Sequence, residues 1–299
     1  MTHNRIKVLA AVLLAFLAAA GGADPPAKKP ATAAATAPSV DEIVRRTNLT
    51  AYYAGADGRA QVVMTITDAQ SKTRRRELTI LRWDQPAPAK GATQPKDVPL
   101  AEKKKQTHCG EQKFYVYFKS PPDVAKMAFL VWKHLDKDDD RWLYQPALDN
   151  VKRIAASDKR TSFVGSHFFY EDVSGRNIND DKHELAKTTK DYYVLKNTPK
   201  DPKTVEFAHY EMYILRSNFL PVYIYYYDQA GKKYRTYAVE KWDADKADGY
   251  PTVVRARMTD TKIGGHTTLE YADVKYNLDL PENLFSERFL KRTPYKYLK

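Results

Sequence analysis

The sequence predicts a mainly β (α+β) protein: a single strongly curved antiparallel sheet with short helices on its concave side. Three observations predict it. From Gly58 onward most of the chain alternates apolar and polar residues with period two, the mark of half-buried strands. The alternating runs are divided by short polar turns such as Ser217-Asn218 and Gln229-Ala230-Gly231, the spacing of an antiparallel meander. Helical periodicity is confined to a few short stretches. About eleven strands are expected, and a sheet of that size must curve and cover its inner face.

The amino terminus reads as an address. Arg5 and Lys7 precede an apolar run from Val8 to Ala20, and small residues follow to Ala23. That is a signal peptide over residues 1–23, cleaved after Ala23 or, alternatively, Ala20. The run is shorter than the roughly 20 residues of a membrane span. No Cys lies near the cut, so the expected product is a periplasmic protein and not a lipoprotein. Residues 24–39 are rich in Pro, Ala, Lys and Thr and read as a flexible linker. Residues 40–299 read as one β domain, a length that β barrels often reach as a single unit. Cys109 is the only cysteine, which rules out an intramolecular disulfide.

Ser39 suits an N-cap, with Glu42 three residues on in a capping-box arrangement. Val40, Ile43 and Val44 then form a stripe that can pack on a sheet. Val62, Met64 and Ile66 alternate with polar neighbours, as do Leu78 and Ile80 within Thr73–Trp83; the polar Asp68–Lys72 turn joins these strands. Residues 84–110 hold Pro86, Pro88, Pro95 and Pro99 and then Lys103, Lys104 and Lys105, an inserted exposed loop. Strands resume at Lys113–Ser120, Ala125–His134, Arg141–Gln145 and Val151–Ile154. Ala155–Lys187 is not strand-like; short helical turns carrying large apolar side chains fit it best. Further strands are expected at Asp191–Asn197, Phe207–Arg216, Leu220–Asp228, Lys232–Trp242, Val253–Thr261 and Thr267–Tyr276. Pro281 opens a closing helix whose apolar face is Leu284, Phe285 and Phe289.

A curved sheet covered by a few helices leaves a concave apolar space, where small hydrophobic ligands bind. The 21 tyrosines, among them Tyr115, Tyr117, Tyr210, Tyr223, Tyr225 and Tyr227, fit an amphipathic lining, and equally the strand preference of aromatic residues. The patterns of catalysis are missing. Ser162, Ser166 and His167 lie near Glu171 and Asp172, but Gly165-Ser166 does not make a nucleophile elbow, and triad members converge from separate elements. Asp136–Asp140 lacks the Gly and terminal Glu of a calcium loop, so it reads as a hairpin turn. Asp180–Glu184 lacks the His or Cys partners of a metal site and reads as a polar loop. No phosphate loop or dinucleotide fingerprint occurs. No catalytic residue, metal or cofactor is therefore expected. The formal charge of +12 favours anionic surfaces. For an exported protein these are lipid headgroups in transient contact, not nucleic acid, although scattered basic residues also suit a solvated face.

Several motifs in order carry a family resemblance. They are Arg141-Trp142-Leu143-Tyr144-Gln145-Pro146-Ala147, Val151-Lys152-Arg153-Ile154, Ser162-Phe163-Val164-Gly165-Ser166 and Tyr170-Glu171-Asp172. Further on come Leu220-Pro221 with Tyr226-Tyr227-Asp228 and Gly231-Lys232, then Met258-Thr259-Asp260 and Leu280-Pro281-Glu282-Asn283-Leu284-Phe285-Ser286-Glu287-Arg288. Over residues 40–292, outside the 84–110 insertion, the chain resembles the LolA-like outer membrane lipoprotein-sorting family. His167 stands where that family commonly has Asp. The resemblance implies an incomplete β-barrel with helices plugging its mouth, and an apolar cavity that carries or binds acyl chains without covalent chemistry. It implies a lipid or lipoprotein acyl chain as ligand, a role in outer membrane lipoprotein sorting or envelope lipid transport, and a resistance–nodulation–division type inner-membrane transporter as partner.

The family-motif loop, with Ser162, Gly165, Ser166, Tyr170, Glu171 and Asp172, is then expected to act as a lid. The cavity lining is expected from Phe114, Val116, Phe118, Phe129, Val131, Leu143, Phe163, Phe168, Met212, Ile214, Val222 and Ile224. Plain core packing is the alternative for each. Two other function classes stand beside the carrier: a structural or interaction protein of the envelope with a filled core, and a lipid hydrolase using His167.

Overall fold

Ser39 opens the first helix, α1 (Val40–Tyr52), by accepting the Glu42 N–H at 3.2 Å. Only half of the capping box forms. The Glu42 carboxylate turns to Arg45, at 2.9 Å to each of two guanidinium nitrogens. The computed structural model describes residues 37–86, 110–243 and 249–299. The expected signal peptide, most of the linker and nearly all of the 84–110 insertion, Cys109 included, lie outside the described residues. Pro38–Lys299 forms one compact unit. Among the described residues no helix is long and apolar enough to cross a membrane.

Among the described residues thirteen strands form one antiparallel sheet. They are β1 (Asp57–Thr67), β2 (Thr73–Asp84), β3 (Gln112–Ser120), β4 (Ala128–Lys133), β5 (Asp140–Gln145), β6 (Asn150–Ile154), β7 (Asp181–Thr188), β8 (Tyr192–Pro199), β9 (His209–Leu215), β10 (Pro221–Tyr227), β11 (Lys233–Asp243), β12 (Thr252–Asp260) and β13 (His266–Tyr276). The spatial order is β6-β5-β4-β3-β2-β1-β13-β12-β11-β10-β9-β8-β7. The chain thus builds one half outward from β1, crosses the concave side through residues 155–180, and builds the other half back to pair β13 with β1. The edges β6 and β7 do not pair, so the barrel stays open. Both edges are polar and exposed, which discourages pairing with other chains.

Local chemistry explains the register. Asp68 closes the β1–β2 turn by accepting the N–H groups of Gln70 (3.0 Å) and Lys72 (2.9 Å). β3 is buried on both faces: Phe114, Val116 and Phe118 point inward, while Tyr115 and Tyr117 lie under the carboxy-terminal tail. That tail covers the outer face of β2–β5 with Leu280, Leu284, Phe285, Leu290 and Leu298. Trp132 donates to the Phe285 carbonyl (2.7 Å) and Tyr115 to that of Phe289 (2.8 Å).

Three expectations need correction. One strand forms where none was expected: residues 181–187 of the segment read as non-strand open β7. Its alternation is hidden: an edge strand exposed on both sides carries Lys182, Glu184 and Lys187 and has no apolar face to show. The Asp180–Glu184 stretch, read as a polar loop, therefore lies mostly in a strand. The closing helix is reduced to a 3₁₀ turn at Glu282–Leu284 and the single-turn helix Arg288–Lys291; Leu284 and Phe285 bury against the sheet nonetheless.

Candidate functional site

The concave face is not filled. It encloses a cavity of about 360 Å³, within the roughly 300–1,000 Å³ of ligand pockets. Alternate residues of the central strands make its floor: Val62 and Met64 of β1, Leu78 and Ile80 of β2, Met258 of β12 and Leu269 of β13. Helix α1 closes one side, with Val40, Ile43 and Val44 anchored on Tyr193, Leu195, Ile214 and Phe219. The positions α1 turns to the cavity, including Thr47, Asn48 and Ala51, are too small to fill it. The crossover segment closes the other side with Phe163, Phe168 and Val173.

Of the twelve lining residues expected from sequence, the structure places Phe114, Val116, Phe163, Phe168, Met212 and Ile224 on the cavity. The other six lie elsewhere. Phe118, Phe129, Val131 and Leu143 belong to a closed end of the same apolar face. There the Phe163 ring packs on Phe118 (5.9 Å between centroids) and Phe129 (5.1 Å), and Tyr170 on Phe129 (5.3 Å). Ile214 sits under α1, and Val222 packs with Leu220 and Val239. Period-two patterning identified the inward face but not which part of it the crossover would cover. Met64, Leu78, Met258 and Leu269 share that pattern and were missed for the same reason. Tyr52, at the end of α1, carried no signal at all.

The family-motif loop is a small hairpin inside the crossover. Ser162 bridges to Phe169, the Phe163 N–H donates to the Phe168 carbonyl (2.7 Å), and the Ser162 hydroxyl donates to the Ser166 carbonyl (2.7 Å). Gly165 turns it at φ +72°, and Val164 is held at φ 50°, a conformation costly for a β-branched residue. The buried Arg76 guanidinium donates to the Val164 carbonyl. His167 is buried with both ring nitrogens engaged, Nδ1 by the Thr267 hydroxyl (2.8 Å) and Nε2 by the Gly264 carbonyl (3.0 Å). This pattern assigns the proton to Nε2.

Helix α2 (Tyr170–Ser174) fastens the crossover through buried ion pairs. Asp172 accepts the Phe169 N–H at 2.6 Å and pairs with Arg235, which is fully buried and lies 4.0 Å over the Phe169 ring. Burial works against the Arg235 charge, but Asp172 outweighs it and holds the guanidinium above its ordinary pKa. Glu171 accepts from Arg160 (3.0 Å) and Arg176 (3.3 Å), and Arg176 grips Asp181 at the start of β7 through two bonds of 2.9 Å. This strap therefore ties the middle of the crossover to β11 and β7. Lys133 of β4 donates to the Ser174 and Gly175 carbonyls at 2.6 and 3.0 Å, and burial pushes it down to about 8.

The acidic turn before β5 is part of the same scaffold. Asp139 binds Arg141 (2.6 Å) and the Ser174 hydroxyl (3.1 Å), and Asp140 meets His134 (3.0 Å). Among the described residues no group of three or more His, Cys, Asp or Glu side chains is placed to hold a metal.

Comparisons with known proteins agree with this architecture. A family model described as "Uncharacterized protein" matches residues 110–292. A domain from Vibrio parahaemolyticus described as an outer membrane lipoprotein-sorting protein superposes with a TM-score of 0.68 at 27% identity, over 84% of this chain and 97% of that one. A DUF1329 family protein from Desulfovibrio piger gives 0.68 at 22% identity, over 84% and 97% of the chains. A LolA superfamily protein from Nitrosomonas europaea gives 0.60 at 19% identity, over 85% and 100%. At these lower identities the last two bear on the fold alone. No curated protein matches the chain in sequence.

Proposed function

We propose that this chain, which belongs to the uncharacterised family whose model matches residues 110–292 and shares the open β-barrel fold of LolA-like proteins, is a periplasmic carrier or binding protein for a lipid or lipoprotein acyl chain. One observation carries the reading. The concave face, which a filled core would close, encloses about 360 Å³ lined largely by aliphatic and aromatic side chains. An acyl chain seated there would gain about 0.8 kcal/mol per buried methylene.

No covalent step enters the proposal. The nitrogens of His167 are committed to Thr267 and Gly264, which suits a structural side chain better than a general base. Residues 1–23 support export, and the charge of +12, which becomes +10 when Arg5 and Lys7 leave with the signal peptide, supports transient contact with an anionic membrane surface. A resistance–nodulation–division type transporter as the protein that hands over or receives the lipid rests on family resemblance. Outer membrane lipoprotein sorting or envelope lipid transport is the process proposed.

Native mass spectrometry of protein purified together with its membranes, paired with titration of a fluorescent acyl-chain probe, tests this reading. A bound lipid mass and saturable probe uptake are expected. Absence of both would sink the carrier and favour an envelope interaction protein. Wild type and His167→Ala are expected to release equal, background amounts of fatty acid from phospholipid.

A further inference from the structure

Six tyrosines line the cavity among the described residues; Tyr276 meets the Thr252 hydroxyl at 3.1 Å, and four others are Tyr52 of α1, Tyr226 of β10, Tyr237 of β11 and Tyr271 of β13. Tyr226 pairs with Arg235 and Ile224 with Tyr237, so Tyr226 and Tyr237 are diagonal neighbours on the inner face, within reach for long side chains. All four are pushed up in pKa, first by burial. Tyr52, Tyr226 and Tyr271 each add to the shift at Tyr237, so the phenols share one region. Tyr226 is 7% exposed. Tyr210, also on the cavity, donates to Asp181 at 2.8 Å, whereas none of the four phenol hydroxyls has a hydrogen-bonding partner among the described residues.

The charged side chains on the same wall are in the opposite condition. Arg59 pairs with Asp273 (3.1 Å), Arg176 with Asp181 and Glu171, and Asp172 with Arg235. Arg82 donates to the carbonyls of Ala54 and Gly55 and lies 3.1 Å from Asp84. The cavity thus presents neutral hydroxyls, and each of these guanidiniums already faces a carboxylate, although Arg59 Nε has no hydrogen-bonding partner among the described residues. A bare alkyl chain leaves those hydroxyls unsatisfied, which is costly in an apolar site. A carboxylate or phosphate finds among them no positive charge without a carboxylate and would be desolvated without a counter-charge of its own.

Resting on the acyl-chain reading above, we infer that the cavity selects an uncharged acyl ester, with two hydroxyls of the group Tyr52, Tyr226, Tyr237 and Tyr271, Tyr237 and Tyr271 foremost, donating to the ester carbonyl, whose oxygen accepts two. The apolar floor takes the chain, and the tyrosines fix where along it the carbonyl sits. The ester can belong to a glycerolipid or to the diacylglyceryl end of a lipoprotein.

Displacement of a fluorescent acyl probe from the full chain by methyl palmitate, palmitate and hexadecane at pH 7 tests the inference. Methyl palmitate is expected to compete about tenfold better than either of the others, the weight of one or two net hydrogen bonds. Tyr237→Phe and Tyr271→Phe keep the rings and remove the hydroxyls. Each is expected to weaken methyl palmitate about three- to tenfold and to leave hexadecane unchanged. Equal competition by ester and alkane, tighter binding of palmitate, or Phe variants that weaken all three alike would each overturn it. Failure of every probe to bind would instead overturn the acyl-chain reading on which it rests. Dipalmitoylglycerol and a dipalmitoylglyceryl-cysteine peptide then separate the two sources. The stronger competitor identifies the source, and failure of both would count against an ester ligand.

Discussion

Gly175 lies flat against the phenol of Tyr52: a Cβ built on it would stand 2.3 Å from Tyr52 Cζ and 2.6 Å from the hydroxyl oxygen. Its φ of +75° also suits glycine alone. The end of α2 and the end of α1 therefore meet through a missing side chain. That contact sets the Tyr52 ring, with the Lys133 ammonium 5.0 Å above it.

Gly175→Ala should accordingly be destabilising twice over. Forcing a methyl into this contact is expected to cost about 1–3 kcal/mol in chemical denaturation, in addition to backbone strain. In a Tyr52→Ala background only the strain should remain, about 1–3 kcal/mol for a side chain at φ +75°, ψ 153°. A full, undiminished cost in that background would show that the ring contact is not the cause.

The Asp172–Arg235 pair predicts a second asymmetry. Arg235 is fully buried, and its Nε and Nη1 have no partner among the described residues, so Asp172 is what neutralises it. Asp172→Leu should destabilise by about 3–5 kcal/mol by leaving a buried charge unpaired. Asp172→Leu with Arg235→Met should recover most of that loss. Hydrogen exchange should localise the single variant's damage to residues 155–180.

Much of this fold was legible because its central strands bury one face and alternate cleanly. Met64 against Thr65, or Leu78 against Thr79, announces a strand and its inward side. β7 was not legible, since an edge strand under no cover has no reason to alternate. The cavity was legible only as a consequence of curvature. Phe114 and Phe118 sit on the same face of β3, yet one borders the cavity and the other packs on Phe163. That difference is made by a loop more than forty residues away in sequence, beyond any local pattern. The strap is also non-local: Arg160, Glu171, Arg176 and Arg235 look like scattered surface charge in sequence and are buried partners in the fold.

Lys133 gives a pH signature of its own. Burial lowers it to about 8, with Asp139, Glu171 and Asp180 opposing the shift and Arg141 adding to it. An unfolded lysine titrates near 10.4. Between pH 8 and pH 10 the unfolded chain therefore holds a proton that the fold has released, and stability from this site rises with pH, by at most about 1.4 kcal/mol per pH unit. Denaturation of wild type and Lys133→Met, compared from pH 7.5 to 9.5, should show wild type gaining relative to the variant. The window stops there because the raised tyrosines make stability fall once unfolded phenols ionise near pH 10. Parallel profiles would mean that Lys133 is not desolvated.

The division of the concave face into a closed and an open end can be read directly. Phe129 is fully buried between Phe163 and Tyr170 at the closed end. Phe129→Ala should cost about 3–5 kcal/mol, as truncation of a packed aromatic does, while the folded fraction still takes up an acyl probe. Met258 is equally buried but borders the cavity. Met258→Trp directs added volume into existing space, so its stability cost should stay below that of Phe129→Ala, while probe uptake should fall at least tenfold. Stability and uptake thus separate at two residues of one apolar cluster. If Phe129→Ala abolished uptake and Met258→Trp preserved it, the ligand would have to occupy the end that Phe163 and Tyr170 now fill, and the crossover would have to leave the sheet to admit it.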